Sequence, residues 1–143
     1  MKSKILVFLQ FFIIFLMILP FGTETKYFEI GLSITLVGLV IGILALSKNR
    51  LGNFNIRPDI KEECKLITNG IYRYVRHPMY LSVLLSMLGI VIMYYTYYEF
   101  ILFTVLVVVL IAKLLYEESL WACHSNEYEN YKKRTKRLIP FIF

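Results

Sequence analysis

Cysteine and histidine are nearly missing from this chain, with two of each in 143 residues. Cys64 and Cys123 therefore have only His77 and His124 as partners, and the ligand spacings of a structural zinc site do not occur. No metal is expected, and the cysteines read as two reduced cytosolic thiols. Charge is also sparse. Only 18% of residues are charged, with 10 acidic against 16 basic. A net charge of +6 on a polar background would suggest nucleic acid, but here the background is 58% hydrophobic. Soluble domains hold roughly 45–50%. The basic excess thus points to the anionic leaflet of a lipid bilayer and excludes nucleic acid as the expected partner. With no Gly-rich linker, repeat or low-complexity stretch, residues 1–143 read as a single domain. The terminal Phe141-Ile142-Phe143 is not a prenylation signal.

What is abundant is long apolar sequence. Four runs stand out, at about residues 5–21, 28–46, 79–98 and 100–116. Each approaches the roughly 20 residues of a spanning helix. The expected fold is all-α: an integral membrane helical bundle of about four transmembrane helices, with a cytosolic interfacial loop over 47–78 and a cytosolic tail over 117–143. The first run follows Lys2 and Lys4 as a signal peptide would. It is longer than an ordinary h-region and no A-x-A-like site follows, so it is expected to remain as a span.

Orientation follows from lysine and arginine. Lys2 and Lys4 precede the first run. Lys48, Arg50, Arg57, Lys61, Lys65, Arg73 and Arg76 lie between the second and third. Lys132, Lys133, Arg134, Lys136 and Arg137 follow the fourth. With four spans these fourteen fall on one side, and Lys113 lies near it. Only Lys26 lies in an opposite loop. The chain is therefore expected in the cell membrane, multi-pass, with both termini cytosolic. The opposite turn, Tyr94-Tyr95-Thr96-Tyr97-Tyr98-Glu99, reads as an interfacial aromatic belt.

Chemistry is expected on the basic side. Asn53 to Asp59 reads as extended chain and turn, with Pro58 biasing Arg57 away from helix. Asn69-Gly70 is a turn signal. Arg76-His77-Pro78-Met79-Tyr80 stands at the foot of the third run and Glu117-Glu118 at the end of the fourth. Tyr97 is midway between His77 and Glu117, so a hairpin folded there returns the acidic pair to the level of His77. Pro78 suits the first helical position. The helix N-terminus attracts anions, and Arg76 adds a fork for a carboxylate. Glu117 and Glu118 offer acceptors to an ammonium or to ribose hydroxyls. They point about 100° apart, so one faces the site and the other a supporting partner. Lys113 is one turn before Glu117; a ligand role and a plain Lys113–Glu117 ion pair are both open. These groups suit a zwitterionic cofactor with a cationic centre. S-adenosylmethionine is such a molecule, and rings such as Tyr72 and Tyr80 can face its sulfonium. Charges held together at a membrane edge are generally used.

The run Cys64 to Tyr72, then Arg76 to Tyr80, then Glu117-Glu118, resembles the isoprenylcysteine carboxyl methyltransferase family. Asn53-Phe54-Asn55 upstream and Tyr128, Tyr131 and Leu138-Ile139-Pro140 downstream are similar as well. The resemblance covers roughly the last ninety residues. It implies S-adenosylmethionine as cofactor and a membrane-embedded methyl acceptor. It places Cys64, Lys65, Leu66, Ile67, Tyr72, His77, Pro78, Met79, Tyr80 and Glu117 at cofactor-binding positions, and Arg76 is expected to join them through its guanidinium fork. Lys113 falls where the family has a substrate-binding arginine, and with Glu118 is a positioning candidate. Departures are the lysine itself, which lacks arginine's planar fork, and Leu81-Ser82 after Tyr80. In addition, the spacing from Glu117 to Tyr128 is about one residue short, with His124-Ser125 in place of Phe-Gly.

The expected activity is carboxyl O-methylation of an isoprenylcysteine-like substrate. Phospholipid N-methylation and thiol methylation are alternatives within the same architecture. A non-enzymatic pore or regulatory subunit with a polybasic tail is the alternative outside enzymes, but leaves Asn53 to Tyr80 and the Glu pair unexplained. In the tail, Trp121, Tyr128, Tyr131, Thr135 and Leu138 recur at helical spacing opposite Lys132, Lys133, Lys136 and Arg137, the pattern of an interfacial helix with a basic face.

Overall fold

The computed structural model describes residues 2–19, 25–49, 66–124 and 126–140. The described residues form α1 (Lys2–Ile18), α2 (Phe28–Lys48), a single 3-10 turn (Gly70–Arg73), α3 (Pro78–Tyr94), α4 (Tyr97–His124) and α5 (Asn126–Arg134). They contain no strand, only one parallel bridge between Val75 and Lys136. The all-helical expectation therefore holds. Asn53 to Asp59, Cys64 and Lys65 lie outside the described residues.

Two helices, α2 with 21 residues and α4, are long and apolar enough to cross a membrane. α1 and α3 have 17 residues each, about 25 Å at 1.5 Å per residue. Much of the surface is apolar: Phe8, Phe11 and Phe15 of α1 and Leu36, Val37, Val40 and Ile43 of α2 all point outward. Water would not tolerate so continuous an apolar surface, whereas hydrocarbon does. Inside, Ile13, Met17, Met87, Val91, Leu106, Val109 and Leu110 form the core where α1, α3 and α4 meet.

Some boundaries differ from those expected. α3 stops at Tyr94 rather than near 98 because Tyr95 takes a left-handed conformation (φ 49°, ψ 47°), its N–H bonded to Val91 O at 2.7 Å. Glycine is the usual residue for such a helix end, so a tyrosine there gives no warning in sequence. Only Tyr95 and Thr96 then join α3 to α4. The acidic pair lies not in a tail but inside α4, which continues to His124.

α2 and α3 pack antiparallel along their length. Lys26 N–H bonds Met93 O at 2.9 Å at one end of the pair. Small residues make this possible. A Cβ on Gly31 would stand 2.5 Å from Gly89 O, and one on Gly38 2.5 Å from Ser86 Oγ. The close approach lets Ser82 Oγ donate to Gly38 O at 2.7 Å and Thr35 Oγ1 to Ser86 O at 3.2 Å.

Candidate active site

The α3–α4 hairpin brings its two polar clusters together. His77 precedes Pro78, which occupies the first turn of α3 as its fixed φ favours. The His77 Nδ1 is 3.9 Å from Glu117 Oε2, and its Nε2 is 3.4 Å from Glu118 Oε1. The His77 ring stacks on Tyr80 one turn on, with centroids 5.3 Å apart. Tyr80 in turn donates its hydroxyl to Glu117 Oε2 at 2.7 Å. Residues forty apart in sequence thus form one contiguous group.

The two glutamates have different surroundings. The Glu118 side chain is 7% exposed, and Arg76 Nε (2.9 Å) and Arg137 Nε (3.0 Å) donate to its two oxygens. Glu117 is 29% exposed and faces Tyr80 and His77. Glu118 is engaged internally, and Glu117 is the more exposed carboxylate of the two.

Arg76 is used within the protein. Besides Glu118, it donates through Nη1 to Lys132 O at 3.2 Å, to Thr135 O and to Thr135 Oγ1 at 3.4 Å. The backbone follows suit: Arg76 N–H bonds Lys136 O at 2.7 Å, and His77 N–H bonds Arg137 O at 3.0 Å. Tyr131 donates to Tyr72 O at 2.6 Å. The segment after α4 is therefore fastened over residues 72–77. Tyr128, Tyr131, Thr135 and Leu138 are buried in this seam while Lys132, Lys133 and Lys136 face outward; Arg137, expected on the basic face, instead turns inward to Glu118, which draws it in as an ion-pair partner. The helix itself is shorter than the pattern, with Thr135 and Leu138 beyond its end. Burial pushes the Tyr72 phenol up to about 12, against a hydrogen bond from the Asn49 side chain and with the Glu117 charge adding to it. Burial likewise raises Tyr128 and Tyr131. All three stay neutral near pH 7.

Gly70 opens the turn before this seam at φ 61°, with the Lys48 stem against its α-carbon. Here the Asn69-Gly70 signal meets a conformation that glycine adopts without strain. Leu66 and Ile67 are half-buried on the approach, and Met79 is half-buried at the start of α3.

Lys113 is 2% exposed, and its ammonium donates to Gln10 Oε1 of α1 at 2.7 Å. It also lies 5.2 Å from the centre of the Tyr80 ring. Among the described residues no ion pair joins it to Glu117. Sequence reasoning missed Gln10. The available signal was a lone polar side chain within residues 5–19, an unusual occurrence in an apolar span.

A family model described as phospholipid methyltransferase matches residues 27–124, which contain α2, α3, α4 and the whole acidic and His77 cluster. The chain belongs to the phospholipid methyltransferase family. Its relatives include a methanethiol S-methyltransferase of Crocosphaera subtropica, 38% identical over 78 residues, covering 54% of this chain and 30% of that protein. Probable protein-S-isoprenylcysteine O-methyltransferases of Oryza sativa, subspecies indica and japonica, are 33% identical over 116 residues, covering 79% of this chain and 61% of theirs. The chain thus spans about three-fifths or less of the curated relatives it matches. In this family member, α1, α5 and the Arg76 seam with its C-terminal partners extend to either side of the matched segment or bridge out of it.

The donor set fits S-adenosylmethionine. Tyr128 Oη is buried without a hydrogen-bond partner among the described residues, and His77 Nε2 has only Glu118 Oε1, at 3.4 Å, beside it. Glu117 is an open carboxylate, and Tyr80 presents a ring beside it.

Proposed function

We propose that this protein is an S-adenosylmethionine-dependent methyltransferase acting on a membrane-embedded lipophilic acceptor, by carboxyl O-methylation of an isoprenylcysteine-like substrate. The observation that carries this reading is the meeting of His77 and Tyr80 with an open Glu117 backed by a fully engaged Glu118. Four spans with both termini cytosolic suit the fourteen basic residues that this arrangement collects on one side. α1 and α3 are somewhat short for a bilayer core of roughly 30 Å, a mismatch that local thinning and snorkelling lysines accommodate.

The cofactor would be held by Tyr72, His77, Pro78, Met79, Tyr80 and Glu117, with Leu66 and Ile67 on the approach; Cys64 and Lys65 are assigned to it by the resemblance alone. Arg76 supports the site through Glu118. When bound, S-adenosylmethionine supplies a methyl group on an activated sulfonium. A carboxylate acceptor then requires no general base from the protein. The contribution of the chain is to position the acceptor and exclude water. Lys113 is the cation placed to hold an acceptor carboxylate, and its acceptor would enter sideways between helices.

Thiol methylation is a second reading, favoured by the 38% identity to a methanethiol S-methyltransferase. Binding of S-adenosylmethionine to the detergent-purified chain tests the common core. His77→Ala and Glu117→Gln are each expected to weaken it by about 30-fold or more, since removing one partner of a desolvated charged contact costs roughly 2–5 kcal/mol. Glu99→Gln, at the other end of α4, is expected to leave it unchanged. Equal affinity in all four proteins would remove this cluster from the cofactor site. Parallel turnover assays with an isoprenylcysteine, a phospholipid amine and a thiol then separate the acceptors.

A further inference from the structure

Gln10 has no part in the cluster that carries the methyltransferase reading. It is the one polar side chain between Lys4 and Leu19, and it is 6% exposed. It lies on α1, outside the family match at 27–124. Its Oε1 accepts the single hydrogen bond that the Lys113 ammonium makes among the described residues. The face of Tyr80 also lies against that ammonium, 5.2 Å from ring centre to Nζ.

An amide oxygen and a ring face orient an ammonium but do not neutralise it. No carboxylate forms an ion pair with it among the described residues: Glu117, whose charge acts on it from farther off, accepts from the Tyr80 hydroxyl, and Glu118 is held by Arg76 and Arg137. A buried ammonium, 2% exposed, is costly unless an anion pairs with it. Lysine's flexible stem also leaves its head free to leave the site unless something holds it. A glutamate at position 10 would supply the missing charge permanently, and an apolar residue would release the head.

We infer that Gln10 is a positioning and specificity residue: it holds the Lys113 ammonium in the bundle without neutralising it, so that the charge is kept for the carboxylate of a lipid-tailed acceptor. This rests on the methyltransferase reading and adds to it a helix that the family match does not include. The consequence is selectivity for an anionic over an uncharged headgroup on the same tail.

The test uses the full chain in lipid nanodiscs. S-adenosylmethionine affinity is measured first, then binding of N-acetyl-S-farnesylcysteine and of its uncharged carboxamide. The wild type is expected to prefer the carboxylate by about tenfold or more, the scale of a desolvated charge contact. Gln10→Glu is expected to abolish that preference by loss of carboxylate affinity, leaving carboxamide and S-adenosylmethionine binding unchanged. Lys113→Met should do the same. Should Gln10→Glu fail to bind S-adenosylmethionine, Gln10→Met decides, with carboxylate affinity expected to fall several-fold and carboxamide affinity to hold. A wild type without the preference, or a Gln10→Glu protein that keeps it, overturns the inference while leaving the cofactor site standing. Loss of S-adenosylmethionine binding in both Gln10 variants makes the residue purely structural and also overturns it. Failure of the wild type to bind S-adenosylmethionine instead removes the methyltransferase reading itself, and the inference with it.

Discussion

Replacing Arg76 with methionine tests whether this residue fastens the C-terminal segment. The side chains of Arg76 and Glu118 are 6% and 7% exposed, so the pair has little water to fall back on. Loss of the guanidinium leaves Glu118 with Arg137 and, at 3.4 Å, His77 Nε2, and takes the donor from Lys132 O and Thr135 O. Breaking one side of a buried ion pair typically costs about 3–5 kcal/mol. The lower end applies here, because the segment can lift and rehydrate its groups while the helices stay packed. About 3 kcal/mol corresponds to roughly a hundredfold rise in the lifted population. Trypsin reports it, since Lys132, Lys133, Arg134 and Lys136 are exposed on the segment, and cleavage follows the open population when closing is fast. Cleavage in this stretch, followed by mass spectrometry under native detergent conditions, should accelerate by about that factor in Arg76→Met. The Arg76→Met/Glu118→Gln double variant should lose less than the two single changes together, because the buried carboxylate goes with its partner and only the part-exposed Arg137 loses an ion pair. Arg137→Met, whose side chain is 30% exposed, should matter less. An unchanged cleavage rate in Arg76→Met would refute the fastening role.

A membrane-impermeant thiol reagent should label neither Cys64 nor Cys123 in intact cells and both in inverted vesicles, as expected if both lie on the cytosolic face; labelling of the two from opposite faces would overturn the four-span arrangement. Gly89→Ala should lower the melting temperature in detergent, because the added carbon meets Thr35 Oγ1 and, at 2.5 Å, Gly31 O, and overpacking typically costs about 1–3 kcal/mol. Gly42→Ala, whose new carbon meets mainly the rotatable Ser82 hydroxyl at 2.6 Å, should be tolerated better, and equal losses would show that backbone contact is not what limits the α2–α3 approach.

Much of this protein is legible in its sequence for simple reasons. Long apolar runs announce the helices α1 to α4 before any contact is known, and two of these, α2 and α4, are long and apolar enough to cross a membrane. Pro78 after His77 marks the start of α3, and Asn69-Gly70 marks the turn at φ 61°. The meeting of His77 with Glu117 and Glu118 is also foreseeable, because a hairpin with two arms of similar length returns its ends to one level. Tertiary structure alone decides what each polar group does there. Glu117 and Glu118 are adjacent and chemically identical; only the arrival of Arg76 and Arg137 makes one internal and leaves the other open. Lys113 could have paired with Glu117 along its own helix, but α1 packs against α4 and presents Gln10 at 2.7 Å. Helical periodicity states which residues share a face. It does not state which other helix, up to a hundred residues away, will lie against that face, and the role of a buried charge depends on the nearest partner the fold supplies.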